Sequence, residues 1–337
     1  MLAQPVEAMQ VLCVDDGSAD ASPERLRAWR ERDRRIEVIT LSHASAGAAR
    51  NNGLTHAVGT YVHFLDADDC LFPDLYPTLI READRSGADV CVFQYAARDV
   101  RTGITRREPC LLDRKKRTTS LRREPAFWIY NLVAPWNKLY RRDWLEKNRL
   151  RFDEITCAND RGFYFRMLAA DPVLLALPVY GVIYYTGQSG ALTGSGRAAH
   201  PDCLFFSYHS VLPALEPLPV SIRAMVLDAA VTDLFAVLAA APEALRSPLR
   251  EAMHRYFQTL DLSVLEALPF ACLWREDLDR LRESPEGETR PPHTAKKLGR
   301  LLRIWGLRGC LVKWMAHRNK KNRKNPAAVP EGNEEFH

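Results

Sequence analysis

No two of the eight cysteines in this 337-residue chain stand in a C-x-x-C pair, and none of their spacings is that of a zinc site. The positions Cys13, Cys70, Cys91, Cys110, Cys157, Cys203, Cys272 and Cys310 suit reduced thiols in a cytoplasm better than a disulfide framework. A run of about 18 uncharged apolar residues, the length that spans a bilayer, is also missing, so no membrane span is expected. The opening Met1–Ala8 lacks the positive and apolar regions of a secretory signal, which again leads to a cytoplasmic expectation. Internal repeats are absent. Acids are absent from Arg290–Lys324, which holds twelve Lys and Arg. With the three glutamates that follow, the formal charge of +5 leaves the first 289 residues at −4. The main body therefore lacks the basic footprint of nucleic-acid binding, and no nucleic-acid partner is expected.

What is present is a globular composition, 47% hydrophobic and 26% charged, in a chain long enough for one large core or two smaller ones. Strand and helix alternate at the front: strands 11–15, 36–40, 61–65 and 89–95, helices 23–33, 46–58 and 74–86. That order predicts an α/β fold with parallel strands and crossover helices. Ser22 and Pro23 read as the N-cap and first position of the first helix. Residues 98–122 read as a polar hairpin or loop, 136–140 as a strand, 160–170 as an amphipathic helix, and 173–177 and 179–185 as two apolar strands. From His200 onward the pattern is helical, at 201–215, 219–240, 243–259 and 271–282, and Ser284–Pro292 reads as a linker.

The segment most charged with chemistry is Tyr61–Cys70, an aromatic-rich strand that ends in Asp66, Asp68 and Asp69. Side chains two apart on a strand share a face, so Asp66 and Asp68 can converge where strand meets loop. Crowded carboxylates repel unless a hard cation sits between them, and a Mg²⁺ or Mn²⁺ ion shared with a diphosphate is the usual arrangement. The alternative is an acidic turn capping the next helix. Val11–Ser18 is a second strand ending in acids, Asp15 and Asp16, and Ala46–Gly53 contributes Arg50 and Asn51 from a helix.

Taken in order, VDDGSAD, AGAARNNGL and YVHFLDADD resemble the nucleotide-diphosphosugar domain of the family 2 glycosyltransferases. The resemblance continues through Trp136–Tyr140, Arg151–Asp153 and Asn159–Phe163 and covers roughly residues 1–195. It implies a GT-A fold: a mixed, mostly parallel sheet with flanking helices, followed here by a C-terminal helical region. The organisation expected on this basis is a GT-A domain at 1–198, helices at 199–290, a basic amphipathic segment at 291–325 and a disordered tail at 326–337. The implied reaction is inverting transfer from a nucleotide-diphosphosugar, a UDP-sugar, to a glycan or lipid-linked acceptor in cell-surface polysaccharide biosynthesis.

The same resemblance implies the roles of single residues. Asp68, with Asp66, would hold Mg²⁺ or Mn²⁺. Asp15, Asp16, Arg50, Asn51, Asp66 and Trp136 would bind the nucleotide-sugar, and Asp160 would be the general base. Each has a plainer reading: Asp-Gly as a common turn, Arg50 as a solvated charge, Trp136 as core, Asp160 as a helix cap. Family members usually carry Glu-Asp where this chain has Asn159-Asp160. Gln188–Thr193 matches a loop that closes over the donor. His43, His56 and His63 show no ligand spacing and read as surface or packing residues.

The family normally begins with an apolar strand before its first helix, and Met1–Val6 resembles that helix's last turn, so the sequence reads as N-terminally truncated. A catalytically impaired nucleotide-sugar-binding or scaffold homologue is the alternative function. A haloacid-dehalogenase-like phosphohydrolase shares Phe64–Asp68 but needs Thr or Val where this chain has Cys70. Residues 294–324 read as a peripheral anchor on an anionic membrane surface, with Trp305 and Trp314 in the headgroup layer and the basic residues on phosphates.

Overall fold

The computed structural model describes residues 1–108, 116–187, 195–270 and 272–286. The donor-closing loop expected at Gln188–Thr193, the basic segment 291–325 and the tail 326–337 lie outside the described residues. The front half runs β1 (Val11–Asp15), α1 (Ser22–Arg32), β2 (Ile36–Thr40), α2 (Ala46–His56), β3 (Tyr61–His63), β4 (Cys70–Leu71), α3 (Leu75–Ser86) and β5 (Val90–Asp99). Next come β6 (Thr105–Glu108), β7 (Arg117–Thr119), α4 (Pro125–Ile129), a 3-10 turn at Pro135–Asn137, β8 (Lys138–Arg141), α5 (Arg142–Lys147), α6 (Asn159–Ala169) and β9 (Leu174–Thr186). Helices follow: α7 (Ser195–Ala199), α8 (Pro201–His209), α9 (Leu212–Leu215), α10 (Val220–Ala240), α11 (Glu243–Gln258), a 3-10 stretch at Leu262–Ala267, and α12 (Arg275–Glu283).

The strands form a mixed array. β1 and β2 pair in parallel as a two-stranded sheet, and a second sheet has the order β3-β8-β5-β9-β4, with β6 on β5 and β7 on β9. The longest registers, β1–β2 and β5–β9, are parallel, whereas the shorter pairings made by β3, β4, β6, β7 and β8 are antiparallel. The two apolar strands read separately at 173–177 and 179–185 are one strand, β9. Pro178 lies where its register against β5 shifts, between Phe93 and Tyr95. A proline has no N–H for the ladder, so an irregularity is its natural place.

Between β1 and β3 lies a cavity of about 2560 Å³, lined by Leu12, Val14, Tyr61 and His63 among others. Among the described residues no strand pairs with the edge of β1 or β3 that faces it. Met1–Val6 does not continue a helix; it bends, and the buried Gln4 side chain accepts from the N–H groups of Leu75 and Tyr76 at 2.9 and 3.1 Å. Gln4 thereby caps α3, whose own N-terminal Asp74 makes no side-chain cap. At α1 the expected Ser22 cap is replaced too: Ser22 lies inside the helix, and Asp20 accepts from its N–H at 2.9 Å.

Side chains on β5 alternate between two apolar layers. Val90 and Val92 point into a large cluster, while Cys91 and Phe93 join a smaller one with Leu79, Ala83 and Trp136. The larger cluster runs without a break from Phe64, Phe152 and Phe163 to Val231, Leu234 and Leu278 in the C-terminal helices. The helical region therefore shares its core with α6, which opens with Asn159 and Asp160. No helix among the described residues is long and apolar enough to cross a membrane.

Candidate active site

The acids at the end of β1 shape the adjoining turn. Asp15 is buried, and its Oδ1 accepts from the Ser18 N–H at 3.2 Å and the Ser18 hydroxyl at 2.5 Å. Gly17 holds φ at +79°, a left-handed conformation that favours glycine, and a Cβ there would stand 3.1 Å from the ring of exposed His43, which would have to shift slightly. Asp16 accepts from the Ala44 N–H at 2.7 Å, tying this turn to the entry of α2. Both acids line the cavity between the sheets.

Arg50, on α2, joins parts of the chain that are far apart in sequence. Its Nη2 donates to Asp66 Oδ1 at 2.6 Å and its Nη1 to Asn159 Oδ1 at 2.7 Å, while the guanidinium lies 5.4 Å from the centre of the Phe152 ring. Two charge-assisted bonds and a ring contact fix this side chain, so the reading of Arg50 as a solvated surface charge is wrong. Neighbouring Asn51 is spent on the fold. Its Oδ1 accepts from the Phe152 N–H at 2.8 Å, and its Nδ2 donates to Phe152 O and Glu154 Oε1, both at 3.0 Å. Expected as a nucleotide-sugar contact, the amide staples the 152–154 segment to α2.

Of the three acids after β3, Asp66 belongs to Arg50 and Asp68 is exposed. Asp69 is buried; its Oδ1 accepts from the Tyr185 N–H at 3.0 Å, and its Oδ2 has no hydrogen-bond partner among the described residues. Burial, reinforced by the charges of Asp68 and Asp66, pushes its carboxyl up to about 7 against the pull of the Tyr185 N–H. Among the described residues no group of three or more His, Cys, Asp or Glu is placed to hold a metal ion alone. The donors on offer, Asp68 and the oxygen of Asp66 that Arg50 leaves free, are the hard oxygens that Mg²⁺ and Mn²⁺ take. Two carboxylates leave the remaining positions to water and phosphate, so the set fits an ion that shares its coordination with a diphosphate.

Trp136, expected as a nucleotide-sugar contact, stands in the smaller apolar cluster. It is buried, stacked on Tyr184 at 5.2 Å and edge-on to Tyr95 at 4.9 Å. Asn137 donates to Phe93 O at 3.1 Å, and fully buried Lys138 donates to Leu132 O, Ala134 O and Asn137 Oδ1 at 2.7–2.8 Å. His63 is a packing residue, as expected. The Trp136 carbonyl accepts from its Nε2 at 2.7 Å, and the Tyr76 hydroxyl lies 2.9 Å from its Nδ1. Burial lowers the imidazole to about 4, so it is neutral at physiological pH.

Asp160 sits in the first turn of α6, after Ala158 at φ +61°, which occupies the cap position without a side-chain bond. Asp160 is therefore not the cap. Its Oδ1 accepts from Arg161 Nη1 at 3.1 Å. Arg161 is 5% exposed and grips Asp233 of α10 through Nε and Nη2, and Tyr208 of α8 donates to the same carboxylate at 3.0 Å. Arg161, Tyr208 and Asp233 were not anticipated from the sequence. An arginine close to Phe163, Tyr164 and Phe165 was the available signal, since a charge in such company must find a partner.

The arrangement thus gathers carboxylates from the ends of β1 and β3 on a cavity, and Arg50 links one of them, Asp66, to Asn159 beside Asp160. The sequence model of the family described as Glycosyl transferase family 2 matches residues 1–149. The chain is 33% identical over 172 residues to the putative glycosyltransferase EpsH of Bacillus subtilis, covering 48% of each chain. It is 30% identical over 214 residues to the succinoglycan biosynthesis protein ExoO of Rhizobium meliloti, covering 60% of this chain and 59% of that one. It thus spans about half the length of the curated relatives it matches. In fold it is similar to S. aureus TarS 1-349 in complex with UDP-GlcNAc, with a TM-score of 0.67 at 18% identity over 83% of this chain and 81% of that one. The family match and these relatives together make the front half of the chain similar to glycosyltransferase family 2.

Proposed function

We propose that this protein transfers a sugar from a nucleotide-diphosphosugar, a UDP-sugar, to a glycan or lipid-linked acceptor of a cell-surface polysaccharide, with inversion at the anomeric carbon. The observation that carries the reading is the Arg50 bridge, which ties Asp66 on the donor side to Asn159 beside Asp160 at 2.6 and 2.7 Å. A displacement needs charge stabilisation at the departing diphosphate and a base at the incoming hydroxyl, held in register. Arg50 supplies the register as well as a positive charge near the diphosphate. Asp160, with one oxygen held by Arg161, takes the acceptor proton on the other. Asp66 and Asp68 would hold Mg²⁺ or Mn²⁺, which when bound offsets the charge of the leaving diphosphate. Asp15 and Asp16 border the cavity where base and ribose would lie.

A UDP donor is favoured by the structural neighbour, which binds UDP-GlcNAc and UDP, and a polysaccharide acceptor by ExoO. UDP release from a panel of UDP-sugars, with Mg²⁺ or Mn²⁺ and with EDTA, tests the reading. Turnover of at least one donor is expected, falling at least about tenfold in EDTA. Binding of donors without any transfer or hydrolysis would leave a binding-only homologue instead.

A further inference from the structure

Arg161 divides its guanidinium between two carboxylates of different standing. Nε and Nη2 engage both oxygens of Asp233 in a fork, whose Nη2–Oδ1 arm is 3.2 Å, while Nη1 is left for Asp160 Oδ1 at 3.1 Å. A guanidinium is planar and rigid, so a fork on one side fixes the direction of the remaining N–H. The fork is itself held. Tyr208 donates to Asp233 Oδ2 at 3.0 Å from a different helix, α8. Burial opposes the charge on Arg161, yet Tyr208, Asp233 and Asp160 more than offset it and keep the side chain cationic. Burial likewise works against an ionised Asp233, and Arg161 more than compensates. The second oxygen of Asp160 has no protein partner among the described residues.

We propose that Asp233 is a positioning residue for glycosyl transfer: through Arg161 it orients the Asp160 carboxylate so that one oxygen is tied and the other is presented to the acceptor hydroxyl. This rests on the reading of Asp160 as the base. It gives the C-terminal helices a part in the reaction, because α8 and α10 supply Tyr208 and Asp233 from outside residues 1–149, where the family model matches. It also accounts for a charged pair on the boundary of an apolar core, where two well-packed hydrophobic residues would stabilise the fold as well.

The test compares Asp233→Asn with the wild type in UDP release, UDP affinity and thermal unfolding, at a temperature where both are folded. Asp233→Asn is expected to lower kcat about tenfold, with donor KM and UDP Kd changed by less than about twofold. In an Asp160→Asn background the same change is expected to have no further effect on the residual rate, since the group it orients is gone. A tether between helices alone would lower the melting temperature and leave kcat of the folded enzyme intact. That outcome, or a loss that adds fully to that of Asp160→Asn, overturns the proposal. If Asp160→Asn itself keeps the wild-type kcat, the base assignment fails, and the proposal fails with it for a separate and visible reason. Should Asp233→Asn not fold, Tyr208→Phe removes one hydroxyl from the same carboxylate. It is expected to reduce kcat by about threefold at unchanged KM, and an unchanged kcat would overturn the proposal equally.

Discussion

Asp160→Asn is expected to lower kcat for transfer by a factor of about 10² to 10⁴ and to leave UDP affinity within about twofold of wild type. The substitution keeps shape and hydrogen-bond acceptance toward Arg161 while removing the capacity to take a proton. Its structural cost is small, because the Asp160 side chain is 21% exposed and is not the cap of α6. The proposed donor contacts Asp66, Asp15 and Asp16 all lie outside α6 and are untouched. Steady-state UDP release with calorimetry on the same preparations checks both halves of the statement. A variant that binds UDP normally and still transfers at full rate removes Asp160 from the reaction.

The second large effect falls on a glycine. A Cβ on Gly47 would stand 2.0 Å from the backbone oxygen of Asp153 and 3.3 Å from Asn159 Cβ, so α2 lies directly against the 152–154 segment. Backbone cannot swing aside as a side chain can. Gly47→Ala must push α2 outward, and α2 carries both Arg50 and Asn51. A loss of about 3 kcal/mol is expected, at the upper end of overpacking costs. In a domain of this size that amounts to a fall in melting temperature of roughly 5 °C. Gly53→Ala on the same helix is the control, since its Cβ would meet only Val14 Cγ2 at 3.3 Å and alanine favours a helix. Equal melting temperatures for the two variants would show that the close approach of α2 to Asp153 carries no weight.

The legible part of this molecule was what neighbouring residues decide among themselves. Apolar runs ending in acids announced β1 and β3. The motif order resembling family 2 glycosyltransferases led to the expectation of Arg50, Asp66 and Asp160 in one site, and Arg50 bonds Asp66 and the neighbour of Asp160, Asn159. What stayed hidden depends on partners far away in the chain. Asn51 matches a binding motif, yet its amide is consumed by Phe152 and Glu154, about a hundred positions on. Trp136 sits in the expected stretch, but Tyr95 and Tyr184 close over it. Ser22 looked like a cap, and Asp20 did that work from two positions earlier. No local pattern could pair Arg161 with Asp233, 72 residues later, because helix spacing shows which face is apolar and not which charge will stand opposite.

The donor site is tested most directly by titrating UDP into the wild-type protein and Asp68→Ala by calorimetry, with and without Mn²⁺. Asp68 is exposed, so its removal leaves the core alone and any change in binding reports on the site. Wild-type protein is expected to bind UDP at least about tenfold more tightly with the ion present, and Asp68→Ala to lose most of that difference. Metal-dependent UDP binding that is the same in both proteins would contradict the assignment of Asp66 and Asp68 as the donor-side carboxylates.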